Sequence, residues 1–483
     1  MGSYKYEIFT SVIEEQIKNR ILRKGQRLPS VREIKNVYHL STSSVQSGFD
    51  HLVMKGLVES HPRSGYFVAN TLAIHSSPSR ANLPPVVRDT VFAKNIMLTS
   101  ARNKPSEVSS FNVTAPGDLL IPQKLILRTM QEVIREKGAA LLRYYPSNGL
   151  PELREQISQQ MAAHGCLFNP DELIITDGAL QALTIALSAV TQPGDIVAVE
   201  SPCVFSILEA IANLGLKTIE IPVHYENGFD TDYFKNVCLS NDIRAVVITP
   251  NFNNPTGNVM SDGAKKEVLE IATRFQVPII ENDMYGDLYF GDKRPQCIKS
   301  FDRSGLVMTY SSFSKTLAPG IRLGWLNTGR FYSRAEKARF VLGRSVSPVY
   351  QELMLKLLQG NSYDRHLRSF RKKLNKQAVE LLGALRRHFP EDSYFHNPQG
   401  GYSIWGKLPE GIDMQVFFDY CDQNRILFTP GNTFSLTDEY NAHFRIIFAD
   451  RITAESLALL ENAGEKAKEL LKKGRRDVER GKL

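Results

Sequence analysis

After residue 170 the chain repeats one pattern, in which a short apolar run rich in β-branched residues is followed by a loop and then by a helix-like stretch. ELIITDG precedes ALQALTIALSAV, DIVAVESP precedes VFSILEAIANLG, and AVVITPNFNNPTG precedes GAKKEVLEIATRF; VPIIEND and LVMTYSSFSK follow. This alternation predicts an α/β domain with a mainly parallel sheet buried between helices. In such sheets, ligands bind at the carboxyl ends of the strands.

Polar residues follow three of the predicted strands. Asn254 comes after AVVITP, Asp283 and Tyr285 follow VPIIEN, and Lys315 comes after LVMTYS. Because the carboxyl ends of parallel strands lie at one edge of a sheet, we expect these three loops to converge on one crevice.

The chemistry that uses such a set is that of pyridoxal 5'-phosphate. Its aldehyde forms a Schiff base with a lysine, its ring nitrogen needs a carboxylate to stay protonated, and its phenolic oxygen needs hydrogen-bond donors. Lys315 and Asp283 are the candidates for the first two roles, and Asn254 and Tyr285 for the third. The five cysteines lie far apart and form no CxxC pair, which argues against a disulfide framework or a zinc site, and we expect no metal.

The phosphate of that cofactor needs an anion-binding site. A helix that begins after Asp177 presents free backbone N–H groups and the positive end of its dipole, which suit an anion. The candidate ligands are Gly178, Ala179 and Leu180 at this helix start, together with Ser312, Ser314 and Arg322. The spacing of Ser312 and Lys315 also occurs in serine β-lactamases, but the Ser-Asp-Asn and Lys-Thr-Gly motifs of those enzymes are absent from the sequence.

Positive charge is concentrated at the N-terminal end. Residues 1–105 contain 15 Lys and Arg and 7 Asp and Glu, a net charge of +8, whereas the other 378 residues contain 44 of each. This asymmetry indicates an N-terminal module that meets a polyanion, joined to a neutral body with another task.

The first seventy residues have the layout of a winged helix-turn-helix. Apolar residues at helical spacing predict three helices, the second beginning after the cap Ser30 and the third ending at Gly56; LVES and YFVAN then predict a β-hairpin wing. The residues expected to contact DNA are Arg32, Thr42, Ser43, Ser44, Gln46, Arg63 and Gly65. A winged helix that makes protein contacts is the alternative.

The chain divides into three parts. We predict a DNA-binding domain at 1–70, a linker rich in Ser, Pro, Asn and Arg at 71–105, and an effector domain at 106–483. No apolar stretch is long enough for a membrane helix and no signal-peptide core is present, so we expect a cytoplasmic protein without a membrane partner.

Two parts of the sequence resemble known families. LPSVREI, STSSVQSGFDHLVMKGLVE and RSGYFV are similar to the DNA-binding domain of GntR-type bacterial regulators, although many members have an arginine where Thr42 stands. NNPTG, ENDMYG and SFSKTLAPGIRLGW resemble fold-type-I pyridoxal-phosphate enzymes of the aspartate aminotransferase superfamily.

The second resemblance implies further roles. It places Tyr144 on a tyrosine that reaches the phosphate of a neighbouring subunit, which implies a homodimer, and Arg445 on the arginine that binds the α-carboxylate of an amino acid; a structural salt bridge is the alternative for Arg445. Where relatives have Gly-Ser-Gln on the phosphate turn, this chain has Gly178-Ala179-Leu180. Where relatives have an aromatic residue over the cofactor ring, this chain has Val204, with Phe205 one position later; either could make that contact.

The order of the domains resembles the MocR subfamily of GntR-type regulators. The resemblance implies a head-to-tail homodimer that binds a double-stranded DNA operator and senses an amino acid, an amine or the cofactor through an aldimine at Lys315. A working pyridoxal-phosphate-dependent aminotransferase, with an accessory or autoregulatory winged helix, is the alternative function.

Overall fold

A computed structural model of the chain describes residues 6–19, 21–61, 64–69, 84–90, 109–225 and 228–479. The described helices are α1 Glu7–Lys18, α2 Val31–Tyr38, α3 Thr42–Met54, α4 Gln123–Lys137, α5 Pro151–Ala163, α6 Ala179–Val190, α7 Phe205–Asn213, α8 Thr231–Ser240, α9 Asp262–Phe275, α10 Tyr332–Val341, α11 Pro348–Gln359, α12 Ser362–His388, α13 Met414–Gln423 and α14 Ala454–Glu479. None of them is long and apolar enough to cross a membrane.

The strands run from the N-terminal wing to the C-terminal part of the chain. They are β1 Val58–His61, β2 Gly65–Val68, β3 Arg88–Asp89, β4 Ser109–Ser110, β5 Leu173–Thr176, β6 Ile196–Ser201, β7 Lys217–His224, β8 Gly228–Phe229, β9 Ile243–Ile248, β10 Ile279–Asn282, β11 Val307–Ser312, β12 Gly324–Asn327, β13 Tyr394–Phe395, β14 Ser403–Lys407, β15 Ile426–Leu427, β16 Thr429–Pro430 and β17 His443–Ile447.

The N-terminal part folds as three helices and a β-hairpin. Ser30 caps α2 in a capping box with Glu33, and the Ser41 side chain caps α3. A buried core that includes Phe9, Ile13 and Phe49 joins the helices, and β1 pairs antiparallel with β2 to form the wing. The predicted winged helix-turn-helix is confirmed.

The central sheet has the order β3-β7-β6-β9-β10-β11-β12-β5. Strands β7, β6, β9, β10 and β11 are mutually parallel, and β12 is antiparallel to both β11 and β5. Since β5 therefore runs in the direction of β11, the carboxyl ends of six strands lie at one edge. Apolar clusters with Ala182 and Leu187 on one side and Val268 and Ala272 on the other cover both faces of the sheet. The predicted α/β fold is confirmed.

A smaller sheet follows, with the order β13-β14-β17-β16. The long helices α12 and α14 pack against it through an apolar cluster that includes Leu381, Leu385, Phe444 and Leu460. This sheet carries the arginine at position 445 on β17.

Of the interval predicted as a linker the structure describes residues 84–90, and these include the short strand β3. It pairs antiparallel with β7 at the edge of the central sheet, and Thr90 Oγ1 donates a hydrogen bond to Leu216 O at 2.9 Å. Arg88 Nη1 lies 3.9 Å from Glu220 Oε2. The boundaries 1–70, 71–105 and 106–483 stay a prediction, but residues 84–90 are anchored on the larger domain.

Candidate functional site

The carboxyl edge of the central sheet brings together most of the predicted cofactor residues. A cavity of about 170 Å³ is lined there by residues of α6 and α7, of the strands β10, β11 and β17, and of the loops that carry Thr114, Asn254, Tyr285 and Lys315. Its predicted members are Ala179, Leu180, Val204, Phe205, Asn254, Tyr285, Lys315 and Arg445. Parallel strand order brings Asn254, Tyr285 and Lys315 together at this edge, whereas Arg445 reaches the cavity from β17 of the smaller sheet.

Lys315 lies in this cavity, just after β11. Its Nζ donates a hydrogen bond to the backbone oxygen of Thr114, and its own carbonyl oxygen accepts one from the hydroxyl of Tyr402. Burial lowers the pKa of the Lys315 amine to about 8, and the positive charges of Arg445 and Arg322 act in the same direction. A lysine in this state is neutral, and hence nucleophilic, over far more of the physiological pH range than an ordinary one.

Arg445 is only 2% exposed and lines the same cavity. It donates hydrogen bonds to Asn254 Oδ1 (2.9 Å), Thr429 Oγ1 (3.0 Å) and the backbone oxygen of Asn112 (2.9 Å). No described carboxylate pairs with it, its Nε has no hydrogen-bond partner, and burial lowers its pKa to about 10. The salt bridge considered as an alternative is absent from the described residues, so the guanidinium lacks an anion.

Asn254 and Tyr285 are neighbours in the cavity. The amide Nδ2 of Asn254 lies 3.5 Å from the hydroxyl of Tyr285, and burial raises the pKa of that hydroxyl to about 12. A protonated phenol and an amide N–H, both aimed at one space, are the two donors that a phenolate oxygen would need.

Asp283 follows β10 and is buried. Arg294 Nη2 donates to its Oδ2, whereas Oδ1 is a buried oxygen without a hydrogen-bond partner among the described residues. Burial raises the pKa of Asp283, and the charge of Arg294 opposes that rise. The backbone on either side, Asn282 and Met284, lines the cavity.

The predicted phosphate site combines a helix start with a guanidinium. Gly178 precedes α6 with φ of 82°, and no described side chain caps that helix. A Cβ at Gly178 would lie 2.7 Å from Arg322 Nη2, so the missing side chain is what lets Arg322 approach the helix start. Arg322 itself donates to the backbone oxygen of Asp177 at 3.1 Å.

Ser312 and Ser314 are buried beside this helix start but do not line the cavity. Their hydroxyl oxygens lie 2.9 Å apart, and Ser312 Oγ also donates to the backbone oxygen of Leu323 at 3.0 Å.

Val204 and Phe205 both line the cavity, and the ring of Phe205 packs toward Phe434, with centroids 6.2 Å apart. The phosphate role of the serines and the choice between Val204 and Phe205 stay predictions.

Tyr144 stands apart from the cavity of its own chain. It is 76% exposed, and its ring lies 4.9 Å from the guanidinium carbon of Arg344. A side chain in this position is available to a second subunit, as the resemblance implies.

The cavity fits pyridoxal phosphate on four independent counts. It offers a lysine amine of lowered pKa, two candidate donors to the phenolic oxygen, and a helix start without a side-chain cap, where Gly178 makes room for Arg322. Asp283 does not line the cavity, but it lies between Asn282 and Met284, which do, and its Oδ1 is buried without a hydrogen-bond partner among the described residues. Lys315 would attach the cofactor and Asp283 would face its ring nitrogen. Asn254 and Tyr285 would donate to the phenolic oxygen, and the helix start with Arg322 would hold the phosphate.

The predicted DNA contacts lie on α2, on α3 and in the wing. Arg32, Thr42, Ser43 and Gln46 are exposed, whereas Ser44 and Gly65 are partly buried. In this structure Ser41 Oγ lies within 2.9 Å of the hydroxyls of both Ser43 and Ser44, and Gln46 Nε2 donates to Tyr66 and to Asp50. Arg63 lies outside the described residues.

Sequence reasoning missed Thr114, Tyr402 and Arg294. Thr114 and Tyr402 contact Lys315 from segments with no periodic signal, and Tyr402 is preceded only by the turn Gly400-Gly401. Arg294, eleven positions after Asp283, returns to it through a loop whose path the sequence does not reveal.

Two protein families match the chain. Residues 115–462 match the family described as Aminotransferase class I and II, and residues 7–68 match Bacterial regulatory proteins, gntR family. Over 463 residues the chain is 31% identical to the uncharacterized HTH-type transcriptional regulator YjiR of Escherichia coli strain K12, covering 95% of this chain and 98% of the relative. It is 26% identical to the HTH-type transcriptional regulator NorG of Staphylococcus aureus strain USA300, covering 84% and 92%.

Solved aminotransferases share the fold of the larger domain. LysN, an α-aminoadipate aminotransferase from Thermus thermophilus solved with N-(5'-phosphopyridoxyl)-L-leucine, is 26% identical with a TM-score of 0.70, covering 75% of this chain and 93% of its own. The multiple substrate aminotransferase of Thermococcus profundus has a TM-score of 0.72 at 24% identity, and the match covers 79% of this chain and 98% of that enzyme's chain.

Proposed function

This chain belongs to the aminotransferase class I and II family and to the GntR-type regulators of the MocR subfamily, and on that premise we propose that it is a transcription regulator that senses an amino acid or amine. Its cofactor is pyridoxal 5'-phosphate. The observation that carries the proposal is that the Lys315 amine and the buried guanidinium of Arg445, which has no described carboxylate partner, line one cavity.

Pyridoxal phosphate, when bound, supplies an aldehyde that condenses with amines and a ring that withdraws electrons. Lys315 would provide the amine that attaches the cofactor, Asp283 would hold the ring nitrogen in its protonated state, and Asn254 with Tyr285 would donate to the phenolic oxygen. Arg445 would bind the effector carboxylate in a bidentate pair.

An effector amine would compete with Lys315 for the same cofactor. Effector binding would therefore release the Lys315 side chain, and this local change would bias the placement of the winged helices. By linkage, operator DNA must change effector affinity by the same factor by which effector changes DNA affinity.

The proposal is tested by two titrations on the full-length protein with its cofactor. Candidate amino acids and amines are added while the visible absorbance is followed, and the DNA upstream of the protein's own gene is titrated with and without each ligand. A ligand that shifts the spectrum and changes DNA affinity supports a sensor. Absence of any salt-dependent DNA binding would remove the regulator role.

We further propose a homodimer that completes its own site. Exposed apolar and aromatic side chains, among them Leu142 (89% exposed) and Tyr144, stand on the larger domain at the position where the resemblance places a subunit contact. Light scattering would give the mass, and a Tyr144→Ala variant should weaken cofactor binding without changing the cavity of its own chain.

A second candidate is a working aminotransferase. The favouring observation is the neutral-prone amine of Lys315 in the same cavity as Arg445, because a lysine that can accept and return a proton is what transamination needs. Mixing the protein with amino acids and 2-oxo acids separates the candidates: product over many turnovers indicates an enzyme, and a single spectral change that stops indicates a sensor.

A further inference from the structure

The winged helix rests on the C-terminal half of α12. Val379 packs against the apolar core of the winged helix, and Arg387 Nη1 donates to the backbone oxygen of Ser60 in the wing at 3.4 Å. Arg386 also approaches the winged helix, since its Nη2 lies 3.6 Å from the position that a Cβ would take at Gly56, just after α3. One face of α12, which includes these three side chains, therefore carries the DNA-binding domain.

The N-terminal half of the same face carries four exposed cations. Arg365, Arg368, Lys372 and Lys376 recur at spacings of three and four residues, and at about 100° per residue they fall within an arc of roughly 80°. Within the described part of the chain none of them forms an ion pair with a carboxylate, and α12 has only Asp364 as an acid before Glu380. We refer to these four residues as the α12 basic stripe.

The α12 basic stripe ends at α3, which carries four of the predicted DNA contacts. Lys376 faces Asp50 of α3 across a cavity of about 580 Å³ that separates the two domains, and Gln46, one turn before Asp50, lines the same cavity. Burial raises the pKa of Asp50 to about 6, with Lys376 opposing that rise. Gln46 is also one of the predicted DNA contacts, so the stripe is continuous with the surface expected to meet DNA.

We propose that the α12 basic stripe is a second DNA-contacting surface, which binds backbone phosphates of the duplex beside the segment held by the winged helix. From Arg365 to Lys376 the helix rises about 16 Å, at 1.5 Å per residue. That length matches about five base pairs at 3.4 Å each. Unpaired cations one helical turn apart give sequence-independent attraction to phosphates, which fixes register rather than reading bases. This proposal rests on the proposed function as a DNA-binding regulator.

The test compares two variants with equal loss of charge. The stripe variant is R365Q/R368Q/K372Q/K376Q, and the matched control K235Q/K266Q/R274Q/R303Q removes four exposed cations from other elements of the larger domain. The probe is a DNA fragment from upstream of the protein's own gene, titrated from 50 to 300 mM KCl and footprinted. Since each phosphate contact contributes about 0.9 to the slope of log K against log salt, the stripe variant should lose roughly 3.6 units of slope. Its footprint should also shorten by about five base pairs on one side, while the control keeps both.

The outcomes separate this proposal from the function on which it rests. Wild-type protein without salt-dependent binding would overturn both. If the wild type binds DNA and the stripe variant keeps the same slope and footprint, the proposed role of the α12 basic stripe is wrong and the proposed function stands. The same conclusion follows if the stripe variant changes only the mass of the oligomer, because the stripe would then contact a second protein chain. Retained cofactor absorbance shows that the variant is folded; should it not fold, the single variants R368Q and K372Q should each lose about 0.9 unit of slope.

Discussion

Arg294 donates from Nη2 to Asp283 Oδ2 and from Nε to Asp287 Oδ1, the latter at 2.7 Å, so that one buried guanidinium is shared by two carboxylates. Gly286 lies against this pair, and a Cβ there would overlap both Asp283 and Arg294. Arg294 therefore links the carboxylates of Asp283 and Asp287, in a loop whose residues Met284 and Tyr285 line the cavity.

Replacing Arg294 with Met should destabilise the protein most when the cofactor is absent. The buried carboxylate of Asp283 and the partly buried carboxylate of Asp287 would lose a shared counter-charge, at a cost of about 3–5 kcal/mol. A protonated ring nitrogen would replace part of that charge at Asp283, so pyridoxal phosphate should raise the melting temperature of the variant more than that of the wild type. Arg294→Lys should lose less stability and show a smaller rise in melting temperature with the cofactor. If pyridoxal phosphate raised the melting temperature of the Met variant and of the wild type equally, Arg294 would not be the counter-charge of Asp283.

Replacing Lys315 with Ala should abolish the visible absorbance of the bound cofactor while DNA binding is largely retained. The reason is that no other amine in the cavity is placed to form the covalent attachment among the residues described there. Lys266, exposed on α9, gives the control Lys266→Ala. Borohydride treatment followed by mass measurement should add the cofactor mass to wild type and control only; an added mass in the Lys315 variant would mean that the lysine is misassigned.

Cofactor uptake by the apo protein should accelerate with pH up to about 8 and then level off. Below its pKa of about 8 the Lys315 amine is protonated and cannot attack an aldehyde, so the rate should fall roughly tenfold per pH unit. Stopped-flow absorbance measures this directly, and a flat profile between pH 6 and 8 would contradict it.

The lowered pKa of Lys315 also predicts how the stability of the apo protein changes with pH. The folded pKa lies below the ordinary value of 10.5, so between pH 8 and 10.5 the unfolded chain binds more protons at this residue. The contribution of Lys315 to the stability of the apo protein therefore rises with pH across that window and is absent from Lys315→Met.

Replacing Arg445 with Gln should weaken ligands that carry a carboxylate and spare those that lack one. Removing one partner of a buried charge pair costs about 2–5 kcal/mol, or at least roughly thirtyfold in affinity. An amino acid and the amine formed by its decarboxylation make the matched ligand pair, read by spectral titration. Exposed Arg451 gives the control Arg451→Gln. Equal losses for both ligands would indicate that Arg445 acts by supporting Asn254 instead.

Replacing Arg32 with Gln should weaken DNA binding to all sequences alike and reduce the salt slope by about 0.9. Arg32 is exposed on the first turn of α2, where we expect its side chain to contact phosphates and not base edges. Titrations against the upstream fragment and a random duplex measure both effects. Arg303→Gln is the control, and a loss confined to the upstream fragment would assign Arg32 to base recognition.

The features that the sequence predicts best are those set by local pattern. Alternating apolar runs predict the parallel strands, and strand direction then brings Asn254, Tyr285 and Lys315 together without any long-range information. The contact of Arg294 with Asp283 depends on the path of an irregular loop, and the contact of Arg387 with Ser60 depends on how two domains pack. Neither leaves a periodic signal, so neither could be predicted from residue types.

The short strand β3 sets a limit on how far apart two operator half-sites can be. Residues 84–90 are fixed to the edge of the central sheet, so only residues 70–83 join that anchor to the end of the wing at Ala69. Fourteen residues span at most about 50 Å when fully extended. The segment that joins each winged helix to its larger domain is therefore shorter than half of the interval predicted as a linker. In the proposed homodimer, the length of this segment limits the distance between the two DNA sites that the winged helices can bind together.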